Sequence, residues 1–381
     1  MLGVGPEYGF GLYIHWPFCA RICPYCDFNV YAAKDRDSED LVDAILADLE
    51  SHRKLLPAHP ELDSIFFGGG TPSLLRGHQV AKIIGRVATL YGLNGDAEVT
   101  LEANPNDILR HDPRDWANAG VNRVSLGVQS LDDEALHFLG RDHDAGAALK
   151  ALDRIQPVFD NHSVDLIYAR PGQSLDQWEA ELTDTLALGA PHLSLYELTI
   201  EERTAFGKRA ARGELTPMED DAQADLYELT QEICEARGLP AYEVSNHARS
   251  EAYQSAHNHI YWASGDWIGV GPGAHGRLTL QGRRIATEAA RRPGEYVSSP
   301  APNPSDLSQS DTAREFLAMA LRPLSGLDLT RFEQLFGQAP DPGTLQDLEE
   351  SGHVEVSGSA LHLTQSGRLM ADYIASLLAP Y

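Results

Sequence analysis

Cys19, Cys23 and Cys26 fall within eight residues, in the run His15-Trp16-Pro17-Phe18-Cys19-Ala20-Arg21-Ile22-Cys23-Pro24-Tyr25-Cys26-Asp27-Phe28. Thiols clustered as C-x3-C-x2-C are metal ligands or redox groups. Iron–sulfur clusters are held by cysteine thiolates. A three-cysteine loop would leave one iron of a four-iron cluster without a protein ligand, open to a substrate or cofactor. Two other chemistries use the same residues. A structural zinc takes four ligands, and His15 could supply the fourth, although a second Cys/His pair further along is the usual pattern. A disulfide would leave an odd thiol in a chain with no mark of secretion. The fourth cysteine, Cys234, stands beside Ile233 in a helical pattern and reads as a buried apolar residue.

Further polar residues close a series of apolar runs. Gly68-Gly69-Gly70-Thr71-Pro72 follows one of them, and three glycines let a backbone edge approach a ligand closely. Glu102 closes another, in Glu102-Ala103-Asn104-Pro105, where a carboxylate is costly without a partner. Gln129 ends Gly127-Val128-Gln129, Arg141 lies in Leu139-Gly140-Arg141-Asp142-His143, and Asp165 and Tyr196 occupy two later runs. Singly, each reads as a loop or surface residue. Together they put polar groups at consecutive strand ends, where reactive groups gather in parallel β/α folds. Beyond them come His257-Asn258-His259-Ile260-Tyr261-Trp262 and Gly269-Val270-Gly271-Pro272-Gly273-Ala274-His275-Gly276. A neutral imidazole is a normal axial ligand for haem iron, and Tyr and Trp pack porphyrin faces. Among 15 histidines, a His-Asn pair beside aromatics reads equally well as a hydrogen-bonded core element.

The elements that must position these groups alternate. Strand-like runs lie near 11–15, 63–67, 97–102, 122–127, 163–168 and 192–198. Helical patterns fall at about 38–55, 78–91, 112–119, 144–157, 174–189 and 219–237, the first opening on Ser38-Glu39-Asp40 as a cap and acidic turn. Six β–α units in succession specify a parallel sheet with helices outside it, two short of a closed eight-fold barrel. Ser298-Ser299-Pro300-Ala301-Pro302-Asn303-Pro304-Ser305 reads as a linker between a unit at 1–297 and one at 306–381. The second unit pairs a helix carrying Phe316, Leu317, Ala320 and Leu321 with a strand-like Leu361-His362-Leu363-Thr364 and a last amphipathic helix over about 366–378. This is a compact helical domain with a small wing and no basic cluster.

Composition narrows the function classes. With 56 acidic against 30 basic residues the net charge is −26, which speaks against broad binding to nucleic-acid phosphates. No apolar run reaches the ~18–20 residues that span a bilayer, and no N-terminal secretion signal is visible. Four cysteines, three of them clustered, fit a reducing cytoplasm better than a disulfide framework.

The cysteine spacing resembles that of the radical S-adenosylmethionine (SAM) enzymes. Over nearly its whole length the chain resembles the coproporphyrinogen-oxidase-like branch of that superfamily, and most of all its haem chaperones. The resemblance implies a partial (β/α)6 radical-SAM barrel with a small C-terminal, winged-helix-like helical domain. It implies a 4Fe-4S cluster on Cys19, Cys23 and Cys26, with the open iron chelated by the amino and carboxylate groups of SAM. It assigns SAM contacts to Tyr13, Gly69, Gly70, Thr71, Glu102, Gln129, Arg141 and Asp165, some of which correspond to a second SAM site in the oxidase relatives. The glycine motif would take the SAM amino group, and Glu102 the ribose.

Two departures separate the members of the branch. The decarboxylase pattern has a further cysteine two residues after the third ligand, where this chain has Phe28. It also has a longer segment ahead of the cluster, whereas 18 residues precede Cys19 here. The run from His257 to Trp262 resembles the H-N-x-x-Y-W motif of the haem chaperones. This implies haem as a ligand, with His257 as the leading axial group, His275 as the second, and Tyr261 and Trp262 packing the ring. The expected function is therefore haem carriage and delivery to haem-requiring respiratory membrane proteins, from the cytoplasm or the inner face of the membrane. Pairing into homodimers is left open. Two other classes remain: an oxygen-independent coproporphyrinogen III decarboxylase or other porphyrin-directed enzyme, and a structural or regulatory iron–sulfur module.

Overall fold

The computed structural model describes residues 3–33, 39–56 and 58–379, so Ser38, the expected first cap, lies outside the described residues. The six expected strands are present: β1 (Phe10–Trp16), β2 (Leu62–Gly69), β3 (Leu93–Ala103), β4 (Arg123–Gln129), β5 (Asn161–Tyr168) and β6 (His192–Glu197). They lie side by side in that order, every pair parallel. The helices between them are α1 (Glu39–Leu55), α2 (Gly77–Tyr91), α3 (Pro113–Ala119), α4 (Ala145–Ile155) and α5 (Leu175–Ala187), with α6 (Asp220–Ala236) after β6. Several starts are set by side chains. Asp112 caps α3 through the Arg114 N–H, Asp144 caps α4 through the Ala147 N–H, and Ser174 and Gln177 form a reciprocal capping box at α5.

Strand alternation sorts the two faces of the sheet. Leu12, Ile14, Ile65, Phe67, Val99, Leu101, Val124, Leu126, Val164, Leu166, Leu193 and Leu195 are buried in the main core beneath the helices. The intervening residues include Tyr13, Phe66, Glu102, Ser125, Asp165 and Ser194, and these line a cavity inside the curve of the sheet. Because side chains alternate with a period of two, a slip of one residue would exchange the apolar and polar faces, so the pattern fixes the register.

The sheet extends further than the six-strand reading. After β6 come β7 (Asn246–Ala248), the short helix α7 (Ala256–Trp262), β8 (Asp266–Val270), β9 (His275–Leu280), β10 (Arg283–Glu288) and β11 (Asn303–Asp306). The eleven-stranded order is β11-β10-β9-β8-β1-β2-β3-β4-β5-β6-β7, so the barrel stays open between its two edges. β8 returns to pair in parallel with β1, some 250 residues earlier in the chain, a contact with no local sequence signal. The expected linker at 298–305 is corrected in the same way. Its second half is edge strand, with Pro304 opposite Thr287, and an edge tolerates the missing N–H of proline.

The C-terminal unit packs Gln309–Ala320, Leu329–Phe336, Pro342–Glu350 and Ala371–Leu378 around a three-stranded sheet of Leu327–Asp328, Val354–Ser357 and Ala360–Leu363. Its core joins Phe316, Leu317, Leu327, Phe332, Leu361 and Ile374 to Val4, so the first described residues belong to this core and not to the barrel. Arg331 fixes that contact by donating to the Gly3 carbonyl and stacking 3.7 Å over the Tyr8 ring. No helix among the described residues is long and apolar enough to cross a membrane.

Candidate cofactor site

The cysteine loop follows β1 and covers the end of the sheet where the parallel strands finish. Cys19 ends a two-residue strand paired with Tyr31–Ala32, and a turn closed by the Cys26 N–H on the Cys23 carbonyl sets the other two. All three border a cavity of about 660 Å³, unpaired by any disulfide. Burial pushes the Cys19 thiol up and the Cys26 thiol up to about 11. Thiols in that setting become thiolates when a metal centre supplies the compensating charge. His15 is not free to act as a fourth zinc ligand. Its Nδ1 meets the Tyr13 hydroxyl at 2.9 Å and its Nε2 the Asn29 carbonyl at 3.0 Å. Among the described residues no three His, Cys, Asp or Glu side chains converge on a single ion, whereas a four-iron cube takes one thiolate per iron and spreads them.

The backbone beneath the loop is cut away by two glycines. A Cβ on Gly70 would stand 2.7 Å from the Phe18 carbonyl oxygen and 3.0 Å from Cys19 Sγ, and Gly69, at φ +104°, would drive one to 2.6 Å from the His15 ring. Thr71 follows and donates its N–H to the Phe18 carbonyl. This cradle is open toward the cavity and is shaped by the same chain that positions Cys19.

Two carboxyls face it. Glu102 accepts the Gly69 N–H at 3.2 Å, and burial, reinforced by Asp165, raises its pKa to about 8. Asp165 accepts the hydroxyls of Ser125 and Ser163 at 2.7 and 2.8 Å and is likewise raised by burial. Gln129 ends β4 at φ +70°, beside a break in register between Gly127 and Gln129. A non-glycine residue there costs backbone energy. The bulge leaves Gln129 lining the cavity with a buried Oε1 that has no partner among the described residues. Arg141 is anchored to the Gly127 carbonyl at 3.1 Å, approaches Cys23 Sγ and Tyr25 Oη at 3.5 Å, and keeps a buried Nε without a partner among the described residues. Unfilled polar atoms in a concave site are what a polar ligand would complete.

The structure thus brings Tyr13, Gly69, Gly70, Thr71, Glu102, Gln129, Arg141 and Asp165 to one cavity with the three cysteines and Tyr196. It does not bring His257 there. That imidazole is 1% exposed, with Nδ1 at 2.7 Å from Ser64 Oγ and Nε2 at 2.7 Å from Tyr261 Oη. Burial holds its pKa down at about 3. With both nitrogens engaged it braces α7 against β2, and in this arrangement neither nitrogen is turned to the cavity as an open axial position. Asn258 is the residue of this motif that lines the cavity. Trp262 packs in a separate cluster with Tyr242, so neither it nor Tyr261, hydrogen-bonded to His257, forms a wall of the cavity. His275 opens β9 with its ring half exposed, 3.9 Å from Glu288 and outside the cavity wall. Cys234 is fully buried, its thiol pushed up to about 12 by burial.

Sequence reasoning missed Arg123, Ser125 and Ser194 on the cavity wall. The signal was present, because Arg123, Ser125, Gly127 and Gln129 alternate along β4 and share its inner face.

Comparison with known proteins agrees with this arrangement. Residues 13–184 match the Radical SAM superfamily, and residues 307–370 match the HemN C-terminal domain. The mitochondrial radical S-adenosyl methionine domain-containing protein 1 of Dictyostelium discoideum is 35% identical over 97% of this chain and 94% of its own length. The heme chaperone HemW of Escherichia coli (strain K12) is 35% identical over 96% of this chain and 97% of its own. HemW of Bacillus subtilis (strain 168) is 31% identical over 95% and 97%. The solved structure of E. coli coproporphyrinogen III oxidase, HemN, superposes with a TM-score of 0.79 at 21% identity, covering 98% of this chain and 90% of that one, and shares the fold.

Proposed function

Since this chain belongs to the radical SAM superfamily, in the HemN-like branch and resembling HemW, we propose that it is a haem chaperone that holds a 4Fe-4S cluster and SAM. The observation that carries the reading is the single cavity in which Cys19, Cys23 and Cys26 meet the glycine cradle and the polar strand ends. Similarity to heme chaperones over nearly the full length of both chains supports the haem part. Cys19, Cys23 and Cys26 would hold the cluster, whose remaining iron offers a binding position for the amino and carboxylate groups of SAM. Gly69 and Gly70 leave room for that ligand. Glu102, Gln129 and Arg141 offer it polar atoms, and Tyr13, Thr71 and Asp165 complete the wall.

His275 is the proposed axial ligand for haem iron. It is half exposed, and the turn ahead of it adjoins the cysteine loop, because Asn29 donates to the Pro272 carbonyl. A single imidazole suits a carrier, which must retain iron yet release it. The proposed recipients are haem-requiring respiratory membrane proteins, met from the cytoplasmic side.

One preparation tests the whole reading. Anaerobic reconstitution should give a brown protein with acid-labile sulfide, lost when all three cysteines are replaced by Ser. The same sample should bind about one haem per chain, with a spectrum altered by His275→Ala, and should not convert coproporphyrinogen III. Tightly bound zinc without sulfide defeats the cluster assignment, and sustained porphyrinogen turnover restores the decarboxylase.

A further inference from the structure

Arg123 opens β4, the strand whose other end carries Gln129. Its side chain is 3% exposed and makes no hydrogen bond among the described residues, and its Nε is buried without a partner. The carboxylate paired with it, Glu98, stands 3.8 Å from Nε, beyond hydrogen-bond reach. The Glu98 oxygens instead accept the backbone N–H groups of Ala256 and His257. Asp165 is occupied by two serine hydroxyls, and Glu102, which burial raises, accepts the Gly69 N–H. Thr100, beside Arg123 in the β3–β4 register, also has a buried hydroxyl without a partner among the described residues.

A guanidinium presents five donors in a rigid fork matched to a carboxylate. Burying a guanidinium donor unfilled, as Nε is here among the described residues, is costly. Arg123 nonetheless lines the cavity, at the floor, on the same strand face as Ser125 and Gln129. Glu98 reaches both Arg123 and the start of α7, so this floor lies where β4 approaches Ser255 and Asn258, which border the same space.

We propose that the floor of the cavity is a carboxylate-binding subsite in which Arg123 receives an acid group of the bound ligand. This goes beyond the cluster and SAM contacts and rests on the ligand-holding reading of the cavity. Two sources carry the required chemistry, a porphyrin propionate and the carboxylate of a SAM molecule that is not chelated to the cluster.

The test uses two probe pairs: protoporphyrin IX against its dimethyl ester on the reconstituted full chain, and SAM against decarboxylated SAM on the full chain with Cys19, Cys23 and Cys26 replaced by Ser, which offers no open iron to chelate a carboxylate. In the parent, one pair should show the acid binding roughly tenfold more tightly or better. Arg123→Gln should bring the members of that pair to near-equal affinity, and the pair affected identifies the source. Arg123→Lys keeps the charge without the fork, should lose most of the preference, and serves if the Gln variant does not fold. No preference for the acid in either pair overturns the subsite, as does a preference that survives both substitutions. Failure of the parent to bind any porphyrin overturns haem carriage instead, and the SAM pair then decides the subsite alone.

Discussion

In a His257→Ala protein prepared without haem, the hydroxyls of Ser64 and Tyr261 would each lose the imidazole nitrogen that now stands 2.7 Å away. Stranding a buried hydroxyl costs ~1–3 kcal/mol, and emptying a buried ring position costs ~3–5 kcal/mol in aromatic-to-alanine series. The ring also stacks on Phe66, with centroids 5.1 Å apart. A water admitted to the gap would restore part of the hydrogen bonding, so the net loss works out at about 3–5 kcal/mol, among the larger values for one substitution. Urea unfolding of the metal-free, haem-free protein followed by circular dichroism measures it, as a fall in midpoint at an unchanged slope. His257→Gln, able to keep one of the two bonds, should lose less. If His257→Ala stayed within about 1 kcal/mol of the parent while its haem spectrum changed, the bracing role would be wrong and His257 would return as a ligand.

Gly70→Ala should abolish cluster incorporation with little change in the far-ultraviolet spectrum, since its Cβ would meet the Phe18 carbonyl at 2.7 Å and Cys19 Sγ at 3.0 Å; a full iron and sulfide content refutes it. Acid should destabilise the fold through its buried imidazoles. His257 and His247 are held down at about 3 and 4 from 6.5, and His192 is also lowered by burial. Protons then bind the unfolded chain first, so this stability is complete above about pH 6.5 and is lost as pH falls toward the folded values; urea midpoints that do not fall between pH 7 and 5 would refute this. Glu102 acts in the opposite sense. With a folded pKa of about 8 against 4.5, its contribution is complete below 4.5 and is lost as pH rises toward 8. Glu102→Gln should therefore stabilise the metal-free protein above pH 8 by on the order of 2 kcal/mol, after allowing for its partial contact with solvent; equal midpoints for parent and variant there would refute it.

Much of the barrel was legible locally. The six strands and the helices after them follow from apolar periodicity and caps, and α2, α3, α4, α5 and α6 begin and end within two residues of the expected limits. The three cysteines and the glycine cradle were legible because their spacing is itself the chemistry. Strand alternation puts Arg123 on the inner face of β4, but its lack of a hydrogen-bond partner among the described residues emerges only once both neighbouring strands and α7 are in place. The bracing contacts of His257 were not legible, because one of its hydrogen bonds runs to Ser64, 193 residues away, and the other to Tyr261 one helical turn on.

By itself, the sequence determined which residues can ligate metal, which face of each strand is apolar, and where the helices start, since these depend on residue type and short-range geometry. Only the tertiary structure decided that β8 returns beside β1, that Val4 joins the C-terminal core, and that the proline-rich stretch ends as an edge strand. It also decided which histidine is braced and which is exposed. Those outcomes rest on contacts between residues far apart in the chain, where burial and hydrogen-bond satisfaction are settled by neighbours that no local pattern specifies.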